Sequence, residues 1–129
     1  MLKFKKYCAD NDLRCTTSRQ AAFAVLKGSR KALTAYNILA RMHCNGHPPT
    51  VYRALDFLIE HSFAIRIHSV NAYVLKTVEC KDVHVRVCKK CLGTEQLHVS
   101  ISGAGFALKS SYTEDWGVCK RCLEKENRS

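Results

Sequence analysis

Cys88-Lys-Lys-Cys91 and Cys119-Lys-Arg-Cys122 are two C-x-x-C knuckles separated by 27 residues. Two residues between thiols let both sulfurs of a knuckle face one ion. A second knuckle completes the tetrahedral four-cysteine shell that Zn2+ adopts at about 2.3 Å from each sulfur. The basic residues inside both knuckles favour thiolate over thiol and offset the surplus negative charge of such a site. A closed shell of four thiolates is structural: a unit of about 50 residues buries little apolar surface, whereas zinc in peptide sites of this type contributes about 10–16 kcal/mol of apparent binding energy to folding. Dithiol redox chemistry is the competing reading. It calls for one C-x-x-C in a βαβ setting, and here there are two knuckles and no such setting. Of the other cysteines, Cys8, Cys15 and Cys44 fall in helical or capping positions and read as small buried apolar residues. Cys80 is followed by His84, with His68 and His98 flanking the region, a donor set able to take a second metal. Against that, Val83-His-Val-Arg-Val87 alternates so that His84 and Arg86 share the polar face of a strand, which makes His84 an ordinary solvated residue.

These cysteines sit in a chain of 129 residues, 47% apolar and 25% charged, too short for a barrel or doubly wound enzyme. Lys and Arg outnumber Asp and Glu by 21 to 11, a net charge of +10, so an anionic partner is expected, nucleic acid first. The longest apolar run, Ala21 to Leu26, has six residues, and the charged start is not followed by an apolar signal segment. Neither a membrane span nor export is expected. A reducing cytoplasm is, and there paired cysteines hold metal more often than they staple a fold.

Charge divides the chain unevenly. Residues 1–75 carry eleven basic against four acidic side chains, and 76–129 carry ten against seven. This organisation predicts a basic module over residues 1–76 and a cysteine-anchored one over 77–129. In the first, a helix is expected from about Phe4 to Asn11. A second is capped by Thr17 or Ser18, with Ala22, Phe23, Val25 and Leu26 inward and Gly28 at its end. Thr34 caps a third with Ile38 and Leu39 inward, stopping before Asn45-Gly46. Pro48-Pro49 opens a fourth, over about Pro49 to Glu60, since proline at the first helical position gives up no hydrogen bond. Its Val51, Leu55, Leu58 and Ile59 recur at helical spacing, opposite Thr50, Tyr52, Arg53 and Asp56. Phe63 to His68 and Ala72 to Leu75 alternate as a hairpin. Helices followed by a hairpin predict a winged helix-turn-helix, the last helix sized for a DNA major groove. The fold class expected is therefore α+β: the winged head, then a small α/β unit with the four-cysteine zinc site.

The run Pro48-Pro-Thr-Val-Tyr-Arg-Ala-Leu-Asp-Phe-Leu58, preceded by Thr34-Ala-Tyr-Asn-Ile-Leu39 and followed by Asn71-Ala-Tyr-Val-Leu75 and the two knuckles, resembles the ferric uptake regulator superfamily, nearest its zinc uptake branch. The resemblance spans almost the whole chain. It implies a homodimeric, DNA-binding repressor without enzymatic activity, with a winged head hinged to a dimerisation domain that holds structural zinc. A second, regulatory zinc at the hinge closes such dimers onto AT-rich palindromes. Carried over by position, Tyr36 and Arg53 match base-reading residues, Arg19 a phosphate grip, and Thr50 and Tyr52 backbone contacts. Arginine can address guanine bidentately and tyrosine a thymine methyl, while phosphate contacts fix register.

The regulatory ligands of that branch do not carry over. Its wing histidine falls on Ile65, its hinge cysteine on Lys76, its histidine before the first knuckle on Val83 or Lys81, and its glutamate on Gln96. Lysine there sets positive charge where a cation would bind. Two outcomes stay open: a displaced site built from His68, Cys80, His84 and Glu95 or His98, or DNA binding without zinc sensing, which is the preferred expectation. Ile101 to Leu108, with Gly103 and Gly105, leaves little room for the family's long dimerisation helix. From a different class stands a zinc-stabilised protein-interaction module that has lost operator recognition. No small-molecule substrate is expected.

Overall fold

The computed structural model describes residues 2–42, 47–79, 82–98 and 111–127. Four helices come first: α1 Leu2–Asp10, α2 Thr17–Lys27, α3 Ala35–Arg41 and α4 Pro48–Glu60. Two of them start where a threonine hydroxyl can accept an otherwise orphaned backbone N–H. Thr34 Oγ1 accepts from Asn37, as expected, and Thr16 Oγ1 accepts from Arg19. The α2 cap is therefore one residue earlier than Thr17, which is already helical. α4 begins on its two prolines and ends through Ser62 at φ 63°, whose left-handed backbone lets the Phe63 N–H donate back to the Leu58 carbonyl at 2.7 Å.

The chain then forms β1 Ala64–Ile67 and β2 Ala72–Leu75, antiparallel in the register Ala64↔Leu75. Asn71 turns the hairpin at φ 47°, a conformation asparagine enters more readily than most residues. Phe4, Phe23 and Phe63 fasten the head: Phe4 and Phe23 stack at 4.8 Å and Phe63 meets Phe4 edge-on at 5.1 Å. Val51, Leu55 and Leu58 are buried while Tyr52, Arg53 and Asp56 stay outside, the division expected from helical spacing.

The second unit is a three-stranded sheet in the order β4-β3-β5. β3 Asp82–Cys88 is central, antiparallel to β4 Thr94–His98 and parallel to β5 Ser111–Gly117, and α5 Lys120–Asn127 closes the chain. The link from β4 to β5 includes Ile101 to Leu108 and lies outside the described residues, as do Cys44, Asn45-Gly46, Cys80 and Lys81. Val83, Val85 and Val87 alternate into the interior. They share one apolar cluster with Ala32, Ile65, Ile67, Ala72 and Val74, so the underside of the wing and the sheet have a common core. A strap completes the join. Leu33 exchanges two backbone hydrogen bonds with Tyr73 of the wing, and the Ala32 N–H donates to the Leu92 carbonyl, next to the first knuckle. The architecture is the α+β one expected, a winged helix-turn-helix followed by an α/β unit with clustered cysteines. No helix among the described residues is long and apolar enough to cross a membrane.

Candidate metal centre and nucleic-acid interface

Strand register assembles the cysteines. β3 ends on Cys88, which pairs with Gly117 of β5, so Cys119 arrives beside Cys88 two residues later. After Cys88 the chain doubles back. Leu92, at φ 61°, donates its N–H to the Cys88 carbonyl at 2.8 Å, and the Cys88 N–H donates to the Gly93 carbonyl at 2.9 Å. A Cβ at Gly93 would stand 3.2 Å from the Cys91 sulfur, so a side chain there would press on a ligand atom. α5 starts directly after Cys119 and presents Cys122 on its first turn. The four sulfurs lie within 4.8 Å of one another, with Cys88 to Cys122 and Cys91 to Cys119 each 3.8 Å. A tetrahedron with metal–sulfur bonds of about 2.3 Å has edges of about 3.8 Å, so the donor set fits zinc. A disulfide needs about 2.05 Å, and all four thiols are free.

The electrostatics favour a cation at the centre. Burial pushes the Cys88 thiol up, but backbone N–H groups of Cys119, Cys91 and Lys90 outweigh it and hold it down to about 6. Cys119 is lowered, first by the Cys122 N–H. Cys122 is pushed up to about 12, chiefly by the Cys119 sulfur, with desolvation adding. Four sulfurs this close resist joint ionisation, and a dication removes that resistance. Lys90 pairs with Glu126 of α5, and Lys89 lies 3.9 Å over the Trp116 ring, so the knuckle lysines also pin the turn to its neighbours.

Among the described residues this cysteine quartet is the one convergence of three or more metal-ligating side chains. His84, expected to be solvated, is instead half-buried: its Nδ1 lies 2.6 Å from Thr113 Oγ1 and its Nε2 2.9 Å from Asp115 Oδ2. The parallel partner strand accounts for this, because register places Thr113 opposite His84 and Asp115 one pleat further on the same face. Glu95 lies opposite Arg86 and pairs with it at 4.0 Å. His98 ends β4, exposed, and His68 sits at the wing turn with its ring edge-on to Tyr112 at 5.9 Å. Cys80 lies outside the described residues. At the resemblance-derived positions, Ile65 and Val83 are buried in the shared core, and the Lys76 N–H donates to the Phe63 carbonyl at 2.8 Å. Gln96 donates to the Leu75 carbonyl at 2.7 Å and accepts the Thr77 N–H at 2.9 Å.

The face that carries the other candidate residues is open. Tyr36 on α3 is 80% exposed, and Tyr52 and Arg53 project from α4 with Thr50 half-buried on its first turn. Arg19 is held within the head: its guanidinium lies 3.8 Å over Phe57, and Nη1 donates to the Arg14 carbonyl at 2.6 Å. Sequence reasoning missed Gln96 and Glu114, whose partners lie 19–21 and 45–46 residues away. No periodicity or local motif marks such pairs.

A winged helix-turn-helix head joined through a shared core to a sheet whose four clustered cysteines fit zinc defines a zinc-stabilised winged-helix protein. The zinc uptake regulation protein of Escherichia coli (strain K12) is 31% identical over 137 aligned residues, covering 95% of this chain and 80% of that protein. A zinc uptake regulator solved in complex with zinc and DNA superposes with a TM-score of 0.81 at 28% identity, covering 98% of this chain and 94% of that one. The holo form of XcZur gives 0.76 at 26%, covering 95% of each chain. No protein-family model matches the chain. The chain belongs to the ferric uptake regulator family, in its zinc uptake regulator branch. Its relatives are regulators rather than enzymes, which removes the dithiol-catalyst reading, and its cofactor is structural Zn2+.

Proposed function

We propose that this chain is a sequence-specific DNA-binding transcriptional regulator, a homodimeric and cytoplasmic repressor of zinc-homeostasis genes that holds one structural zinc per subunit. Its target is double-stranded DNA, an AT-rich palindrome. Arg53 and Tyr36 read bases, and Arg19, Thr50 and Tyr52 hold the sugar-phosphate backbone. The observation that carries this reading is the joint projection of Tyr36, Tyr52 and Arg53 from the open face of a winged head in a member of this family. DNA binding here does not wait on a second zinc. Ile65 and Val83 are committed to packing and Gln96 to the linker, and His84 has both ring nitrogens engaged.

Selection of duplexes from a random pool, followed by titration with the metal content measured, tests both parts. The expected outcome is a palindromic consensus, one zinc per subunit and an affinity indifferent to added zinc. Absence of any consensus would instead favour the protein-interaction module. A second zinc that governs affinity would restore the displaced site of His68, Cys80, His84, Glu95 and His98. Affinity should also fall with salt at about −0.9 in log–log slope per phosphate neutralised.

A further inference from the structure

A winged head reads a palindrome only if both heads of a dimer stand at the right separation and angle, so whatever sets that angle is part of recognition. In this chain, two polar side chains of the sheet reach across to the backbone of the head. Gln96, on β4, uses both ends of its amide: Nε2 donates to the Leu75 carbonyl at 2.7 Å and Oε1 accepts the Thr77 N–H at 2.9 Å. These two partners bracket Lys76, where the chain leaves the wing. Glu114, on β5, takes hold of the other end of the hairpin. Its carboxylate accepts the His68 N–H at 3.0 Å and the Ser69 N–H at 3.3 and 3.2 Å. The wing is thus fastened at its root and at its tip, about four residues of strand apart, and its underside is packed on Val83 and Val85 between the two fasteners.

We infer that Gln96 and Glu114 are positioning residues for DNA recognition: with the shared core, they fix the reading head on the sheet by protein contacts alone. The inference deepens the regulator reading and rests on it. Two consequences separate it from a merely structural role. The wing tip is held by Glu114 and stays out of the DNA grooves, which leaves base reading to α3 and α4. Losing the fasteners harms binding to a spaced palindrome, which needs both heads aligned, and spares binding to random duplex, which needs only phosphate contacts.

The test uses the full zinc-loaded chain. 15N relaxation should give one rotational correlation time for residues 17–75 and 82–98 in the wild type. In the double variant Gln96→Ala/Glu114→Ala, the head should tumble separately, with operator affinity at least tenfold weaker and random-duplex affinity within about twofold. Glu114→Gln keeps an amide oxygen for the two N–H donors and should recover most of the operator affinity lost in Glu114→Ala. Should the double variant lose its zinc, Glu114→Ala alone carries the same measurements. Separate tumbling in the wild type overturns the inference, as does wild-type operator affinity in a variant with a released head, or a head that stays fixed without either side chain. A wild-type chain that does not discriminate operator from random duplex removes the regulator reading itself, while the relaxation data still decide whether the fasteners hold the head.

Discussion

Arg53→Ala is the sharpest perturbation of the proposed DNA interface, because its effect on DNA separates cleanly from its effect on the fold. Arg53 lies on the exposed face of α4, opposite the buried Val51, Ala54 and Leu55. Surface truncation away from caps and networks changes stability by about 0.5 kcal/mol or less. A bidentate arginine contact to a guanine discriminates by about 1–3 kcal/mol, and a palindrome uses the contact twice, so operator binding should weaken by about 2–6 kcal/mol. At about 1.4 kcal/mol per factor of ten, that is roughly 30-fold to 2 × 10⁴-fold. A scrambled duplex of equal length loses only the general attraction of one charge per head, an effect of a few-fold. Fluorescence anisotropy titrations on both duplexes at one fixed salt concentration measure the two losses, and thermal unfolding confirms that the fold is kept. A second arm substitutes the base pair that Arg53 addresses: wild type should suffer from that change and the variant should be indifferent to it. Equal losses on operator and scrambled duplex, or no loss on either, would refute the assignment of Arg53 as a reader.

Four further outcomes follow from the same geometry. Stripping zinc with a chelator should abolish amide protection in β3 and β5 and release the Ala32–Leu92 hydrogen bond, since the sheet depends on a metal worth about 10–16 kcal/mol; protection that survives zinc removal contradicts this. Gly93→Ala pushes a methyl to 3.2 Å from the Cys91 sulfur and should weaken zinc retention about tenfold in competition with a chromogenic chelator. Ile67→Ala, at a fully buried position of the shared core, should cost about 2–5 kcal/mol in urea unfolding and destabilise head and sheet together. Burial pushes the Glu114 carboxyl up, but the Ser69 hydroxyl and the Ser69 and His68 N–H groups outweigh it and hold the carboxyl below its ordinary range. A depressed folded value means that the contribution is present above the unfolded carboxylate range and is lost as pH falls through the lower folded value. Protection factors of the His68 and Ser69 amides should fall over that acidic interval, and in Glu114→Gln they should show no such step.

Much of the head was legible in the residues because its signals are local. The helical spacing of Val51, Leu55 and Leu58, the threonine cap of α3, the prolines opening α4 and the alternation around Asn71 each act within a few residues of chain. The cap at Thr16 was misplaced by one position because Thr16, Thr17 and Ser18 offer the same hydroxyl chemistry, and only the backbone angles choose among them. The knuckles were equally plain, since a C-x-x-C spacing encodes its own geometry. His84 was misread because the strand pattern shows which face it shares with Arg86 but not that a parallel strand carrying Thr113 and Asp115 will lie against that face.

By itself, then, the chain's order of residues determined the helices of the reading head, the wing, the donor set for zinc and the charge that calls for an anionic partner. Tertiary structure alone decided three things: that β5 pairs parallel to β3 and so carries Cys119 to Cys88, that the wing shares a core with the sheet, and that Gln96 and Glu114 fasten the wing from across the fold. The physical reason is the range of the interactions. Helix periodicity, caps, turns and knuckles act over two to four residues and leave a mark in the sequence. Strand partners and hydrogen bonds closing loops of 19–46 residues depend on which surfaces meet once the chain has collapsed.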